Sequence, residues 1–199
     1  MFNEYNFDRL QNMGNLKARF NVVIDDCFMI SGCEILESPN GKLYVQMPSI
    51  PNDMGTGYIK VYDKDKNRVF TEILNDYSLD QKKVIHKTPE SLKYTVNLHY
   101  FGADNLKAFC NLKIGSFDIS GIRILENKDN NVFVSMPGFK TDKINDDGKP
   151  IYDYVANPVT KEFYKELNQS ILSVYDNICL KNEPNEIALL KKPSKSIMI

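Results

Sequence analysis

The sequence predicts an α+β protein of two related repeats, each a small antiparallel β-sheet (about four strands) followed by a C-terminal helix, packed as an intramolecular pseudo-dimer. Three observations carry this. Blocks of sequence recur at long range. Each repeat opens with apolar and polar residues in alternation, the period of a strand with one face buried. Each repeat closes with apolar residues at helical spacing.

The recurrence is plain from the residues. Asn15-Leu16-Lys17-Ala18 returns as Asn105-Leu106-Lys107-Ala108, an offset of 90 residues (15 to 105). Ile30-Ser31-Gly32 returns as Ile119-Ser120-Gly121 and Ile35-Leu36-Glu37 as Ile124-Leu125-Glu126, now an offset of 89 (30 to 119). One residue is therefore lost in the turn near 25–28. Val45, Met47 and Pro48 return as Val134, Met136 and Pro137. This period is far too long for a solenoid repeat, so a whole folding unit has been duplicated.

In the first copy Leu16, Ala18, Phe20, Val22 and Ile24 share one face; the second copy answers with Leu106, Ala108, Cys110, Leu112 and Ile114. Shorter candidate strands, 5–10 and 94–100, precede these through glycine-containing joins, which is hairpin chemistry. Strands over 32–36 and 121–125 then turn at Ser38-Pro39-Asn40-Gly41 and at 127–131, where Asn and Gly tolerate positive φ. They return over 43–47 and 132–136. Pro48 and Pro137 end them, because proline cannot donate to a ladder. Four strands per repeat in a meander is the simplest assembly. In the second copy Asn157-Pro158 offers a helix cap and first-turn proline. Phe163, Leu167, Ile171 and Val174 follow at helical spacing. The first copy has only Val69, Phe70, Ile73, Leu74 and Tyr77, a shorter helix. Between Met-Pro and helix the copies differ most: a loop over 139–157 in the second, compressed into 49–67 in the first.

These signals divide the chain into repeat one (1–78), a linker (79–93), repeat two (94–178) and a mostly flexible basic tail (179–199), of which 187–190 is able to dock. The repeats are mildly acidic and the connectors basic: 1–78 sums to −3, 94–178 to −2, linker and tail to +2 each. A tight nonspecific binder of polyanions usually has a basic domain, and this chain has none. No basic segment precedes an apolar core at the N-terminus, and no apolar run is long enough to span a bilayer. Cys27, Cys33, Cys110 and Cys179 form no CxxC pair and do not recur between copies, so free thiols in a reducing cytoplasm are expected. With two histidines and no ligand spacing, no metal site is expected. No carboxylate pair, nucleophile with base, or glycine-rich phosphate loop stands out, so neither catalysis nor a cofactor is expected.

Leu-Lys-Ala, an Ile-Ser-Gly-x-x-Ile-Leu strand, a turn and Val-Phe-Val-Ser-Met-Pro together resemble the SpoVG (stage V sporulation protein G, septation regulator) family. The second copy matches throughout, at Met136-Pro137, Lys140-Thr141, Gly148-Lys149, Tyr152-Asp153 and Asn157-Pro158, then along the helix to Tyr175. The first matches through Pro48 and again at Ile73-Leu74 and Tyr77, with its loop degraded. The resemblance implies a small bacterial regulator that binds DNA, and also RNA, without cofactor or catalysis. It implies a homodimer with the helix packing across it, replaced here by two repeats that pair with each other, with further homo-oligomers open. It also implies phosphate contact by basic residues of the loop after Met-Pro.

On that pattern the nucleic-acid candidates are Lys140, Lys143, Lys149 and Thr141, set against a solvated loop whose Asp142, Asp146 and Asp147 balance its lysines. The first copy has the uncharged Ser49-Ile50-Pro51-Asn52 there. Tyr44 and Phe133, matched across the copies, are candidates for stacking on bases, set against cross-strand packing or burial under the partner repeat. Lys82-Lys83 with Lys87, and Lys191-Lys192 with Lys195, add either electrostatic grip or mere solubility. The competing function is a protein-interaction module that kept the fold and lost the nucleic-acid surface.

Overall fold

The structure, a computed structural model, describes residues 2–5, 7–52, 55–61, 63–80, 83–84, 93–180 and 188–191. Outside them lie most of the linker and tail, with Lys82, Lys87, Lys192 and Lys195. Repeat one runs β1 (Phe2–Tyr5), β2 (Asp8–Arg9), β3 (Leu16–Ile24), β4 (Phe28–Glu37), β5 (Leu43–Gln46), β6 (Ser49–Asn52), β7 (Gly55–Val61) and α1 (Asp63–Ser78). β8 (Lys83–Val84) follows. Repeat two runs β9 (Tyr94–Ala103), β10 (Leu106–Ile114), β11 (Phe117–Glu126), β12 (Val132–Ser135), β13 (Gly138–Ile144), β14 (Pro150–Tyr154), β15 (Ala156–Pro158) and α2 (Lys161–Leu180), with β16 (Ala188–Lys191) after it. One sheet is ordered β15-β4-β3-β1-β8, with β2 also on β3 and β5 on β4. The other is ordered β16-β9-β10-β11-β7-β6, with β12 on β11, while β13 and β14 form a ribbon of their own. The α+β class holds, with more strands than the meander expected. No helix among the described residues is long and apolar enough to cross a membrane.

The recurring motifs are explained by two bulges in each repeat. Leu16 pairs with Leu36 and Ala18 with Ile35, so Lys17 is an extra residue in its strand. Its ammonium reaches Glu37 Oε2 at 2.6 Å, and the Glu37 N–H donates to Asn15 O at 2.8 Å. The second repeat does the same with Lys107, Glu126 and Asn105, at 2.5 and 2.8 Å. Asn-Leu-Lys-Ala and Ile-Leu-Glu thus return together because they build one feature. The second bulge sets Ser31-Gly32 opposite Asn21, and Ser120-Gly121 opposite Asn111. Gly32 and Gly121 stand at φ +78° and +87°, a backbone that side-chain-bearing residues rarely adopt. The lost residue is located too: three residues join β3 to β4 and two join β10 to β11.

Alternation places Ala18, Phe20, Val22 and Ile24 in the core, and Ala108, Cys110, Leu112 and Ile114 likewise. Facing pairs share their volume differently: Phe20 opposes Cys33, whereas Cys110 opposes Ile122. Val69 and Ile73 of α1, and Phe163, Leu167, Ile171 and Val174 of α2, close the apolar faces. The buried residues of both repeats form one continuous cluster.

Strands cross between the repeats. β15 of repeat two adds to β4 of repeat one, pairing Ala156 with Ile30, Asn157 with Met29 and Pro158 with Phe28. β7 of repeat one adds to β11 of repeat two, pairing Ile59 with Ile119, Lys60 with Asp118 and Val61 with Phe117. Ile30 and Ile119, and Phe28 and Phe117, are equivalent positions, so one pairing is used twice about a pseudo-two-fold axis. Phe28 meets Phe163 edge to face, centroids 6.4 Å apart. A Cβ on Gly115 would lie 3.7 Å from Ile24 Cγ2, so the turn after β10 rests against the end of β3.

Helix α2 packs on β9, β12 and β15 of its own repeat and reaches the other repeat through Phe163, alongside the crossing strands. One expectation is corrected here. Asn157-Pro158 does not start the helix, because the ladder to Met29 and Phe28 holds both residues extended. Thr160 takes the capping role: its Oγ1 accepts the Phe163 N–H at 3.2 Å.

Candidate nucleic-acid interface

The segment after the second Met-Pro is a hairpin arm, not the loop expected over 139–157. Met136, Pro137, Val155 and Ala156 are buried and form its root. The Val155 N–H donates to Pro137 O at 3.0 Å, and Val155 O accepts the Ser31 N–H of the first repeat at 2.9 Å. The root is thereby fastened to both repeats. Beyond it Gly138 pairs with Tyr154, Phe139 with Asp153 and Lys140 with Tyr152. A Cβ on Gly138 would sit 2.7 Å from Asp153 O and 3.0 Å from Tyr154 Cδ1, so only glycine permits this closeness.

The tip repeats a turn used elsewhere in the chain. Asn145 Oδ1 accepts the N–H groups of Asp147 at 3.1 Å and Lys149 at 2.8 Å, and Gly148 takes φ +73°. Asn127 does the same for Asp129 and Asn131, with Asn130 at φ +59°. A bulge between Lys140 and Ile144 is stitched by Thr141, whose hydroxyl donates to Ile151 O at 2.9 Å and accepts the Lys143 N–H at 3.2 Å. A hydroxyl has one proton to donate, so while this bond holds Thr141 has none for a phosphate oxygen. Its place in the arm is to position Lys143.

Lys140, Lys143 and Lys149 are all exposed, and none forms an ion pair among the described residues. Asp142, Asp146, Asp147 and Asp153 make the arm as a whole slightly acidic. Their distribution is uneven. Asp153 opposes Phe139 on one face, Asp142 lies in the bulge and Asp146 and Asp147 in the tip turn, while the facing pairs Gly138–Tyr154 and Lys140–Tyr152 bring a cation and no acid.

The SpoVG family model matches the chain twice, over residues 3–87 and 94–177. The chain belongs to the SpoVG family. It is a SpoVG-like regulatory protein with the domain present in tandem. No curated protein and no solved structure matches it.

The two SpoVG repeats differ most at the arm. In the first, the hairpin β6–β7 pairs Ser49 with Tyr58 and Pro51 with Thr56. By register Pro51 stands where Lys140 does and Thr56 where Tyr152 does. The outer sheet faces differ as well. Tyr44 and Phe133 are similarly exposed, at 41% and 43%, so neither is buried beneath the other repeat. Near Tyr44, Arg19 and Glu34 neutralise each other at 3.4 Å. The equivalent pair near Phe133 is Phe109 and Arg123, in register across β10 and β11. Lys83 and Lys191 fall on strands β8 and β16, away from the arm in the pairing order.

Sequence reasoning passed over Tyr152 and Tyr154 as site residues, quoting the first only for its match to the family pattern. The available signal was two tyrosines one residue apart beside a lysine-bearing turn. Burial pushes the Cys33 and Cys110 thiols far above their ordinary range; Cys27 is raised by burial and by Asp25 and Asp26. The four described cysteines are free thiols. No cluster of metal-ligating side chains occurs among the described residues.

Proposed function

We propose that this SpoVG protein is a non-catalytic bacterial regulator, acting in the cytoplasm, that grips nucleic acid (DNA or RNA) through the β13–β14 arm of its second repeat. Lys140, Lys143 and Lys149 are the phosphate contacts and Thr141 holds their spacing. One observation supports this reading: three exposed lysines with no carboxylate partner among the described residues stand on a ribbon separate from both large sheets. Phe133 beside Arg123 offers a secondary aromatic surface, and Tyr44 a weaker one because its neighbouring charges cancel. The first repeat, whose β6 strand Ser49–Asn52 after Met-Pro is uncharged, serves as scaffold and anchors the arm at Ser31.

Binding by three lysines is modest and strongly dependent on salt. On duplex DNA the logarithm of affinity falls against the logarithm of salt with a slope of roughly −3, and Lys140→Ala removes about one from that slope. A titration series between low and physiological salt measures both. Absence of binding at low salt overturns the reading. The second reading, a protein-docking arm, is favoured by the exposed Phe139, Ile144 and Ile151 and by the acid excess. It expects a protein partner whose binding survives loss of the three lysines.

A further inference from the structure

Tyr152 and Tyr154 are neighbouring exposed aromatic residues on one strand of the arm. Two large rings remain 43% and 46% exposed on a strand that buries nothing else. They lie on the same face, with centroids 6.4 Å apart and planes inclined by 24°. Tyr154 lies across from Gly138, where a Cβ would strike its ring and backbone, so the opposing strand is cleared of any side chain. Tyr152 lies across from Lys140, which brings an ammonium to the edge of the ring pair. Asp146 and Asp147 are in the tip turn and Asp153 is paired with Phe139, out of register with the two rings. In the first repeat the corresponding register holds Tyr58 and Thr56, so the paired rings belong to the second repeat alone.

We infer that this face is a stacking strip for unpaired nucleotides, and that the arm prefers single-stranded RNA or DNA to duplex. This rests on the arm being the nucleic-acid surface. Within a duplex every base is already stacked on its neighbours and presents only its edges. An unpaired base exposes its π-face and gains by laying it on an aromatic ring, whatever its identity. Lys140 then meets the phosphate of the nucleotide whose base lies on Tyr152. The occupant is a short stretch of single strand, two bases on two rings, and sequence preference is weak because no base edge is read.

The test uses the full chain, a mixed-sequence single-stranded oligonucleotide as RNA and as DNA, and the matching duplex. The chain has no tryptophan, so Tyr152→Trp supplies a single reporter at the strip. Single strand is expected to quench that reporter and to bind more tightly than duplex. Tyr152→Ala and Tyr154→Ala are each expected to weaken single-strand binding roughly 5- to 150-fold and to leave duplex binding unchanged. Tyr152→Phe and Tyr154→Phe retain the ring and the binding, which separates stacking from the hydroxyl and from misfolding. Equal affinity for both forms, lysine-dependent but indifferent to the tyrosines, overturns the stacking strip and leaves the phosphate reading standing. No binding of either form overturns both. An emission shift in the Tyr152→Trp protein that follows protein concentration alone assigns the rings to a second copy of the chain and overturns the strip.

Discussion

At the level of single residues, most of what the repeats share serves geometry. Gly32 and Gly121 recur because a bulge needs positive φ, and Lys17 and Lys107 because a second bulge needs its extra residue tied to Glu37 and Glu126. Gly32→Ala is expected to cost about 1–2 kcal/mol in urea unfolding, from the backbone alone, since a Cβ there meets Pro48 only at an ordinary 3.9 Å. Both lysine–glutamate pairs keep a quarter to a third of their surface in solvent. A double-mutant cycle on Lys107 and Glu126 therefore gives no more than about 1 kcal/mol, shrinking with salt. The thiols give a pH signature. Folded Cys33 and Cys110 hold their protons beyond the point at which the unfolded chain releases them. Stability therefore falls as pH rises above about 8.5, where the unfolded state binds fewer protons than the folded one. A Cys33→Ala, Cys110→Ala protein, though less stable overall, loses less across that range. Against a thiol reagent at neutral pH, exposed Cys179 reacts first and the two buried thiols only on unfolding.

Among the elements, the start of α2 and the arm show where sequence patterns stop being sufficient. Thr160→Ala is expected to cost about 1 kcal/mol, the loss of one cap, read as a lower urea midpoint. Gly138→Ala must move Asp153 or Tyr154, so faster amide exchange at Val155 is expected, with little change in the β3–β4 ladder. The period-two strands β3 and β10 and the helical faces of both helices were legible because burial on one side imposes a period. The arm was not, because nothing in it is buried on one side: Phe139, Lys140, Thr141 and Asp142 follow no alternation, and a bulge breaks what there is. Asn157-Pro158 reads locally as a helix start, and only a partner strand more than a hundred positions earlier holds it extended. The lysines of the candidate site were legible by their place after Met-Pro. The tyrosine pair emerges only when β14 is laid against β13.

At the scale of the whole molecule the crossed strands decide how the protein unfolds. Neither β4 nor β11 is complete without a strand from the other repeat, and Phe28 packs on Phe163 across the boundary. Phe28→Ala is expected to cost about 3–5 kcal/mol and to lower the stability of both repeats together. Hydrogen exchange at Ile35 in one repeat and Ile124 in the other reports it: both rates are expected to rise by the same factor, whereas independent transitions would show the halves uncoupled. The pairing of β7 with β11 and of β15 with β4 could not be read from the chain, since a short strand names no partner. Covalent union has one more effect. When two identical subunits embrace, any change made to one is imposed on the other, and a substitution that helps at one end must be tolerated at both. Written into a single gene, the halves escape that compulsion. One can carry an uncharged Ser49–Asn52 strand after its Met-Pro, while its sibling carries three lysines and two neighbouring tyrosine rings on the matching arm.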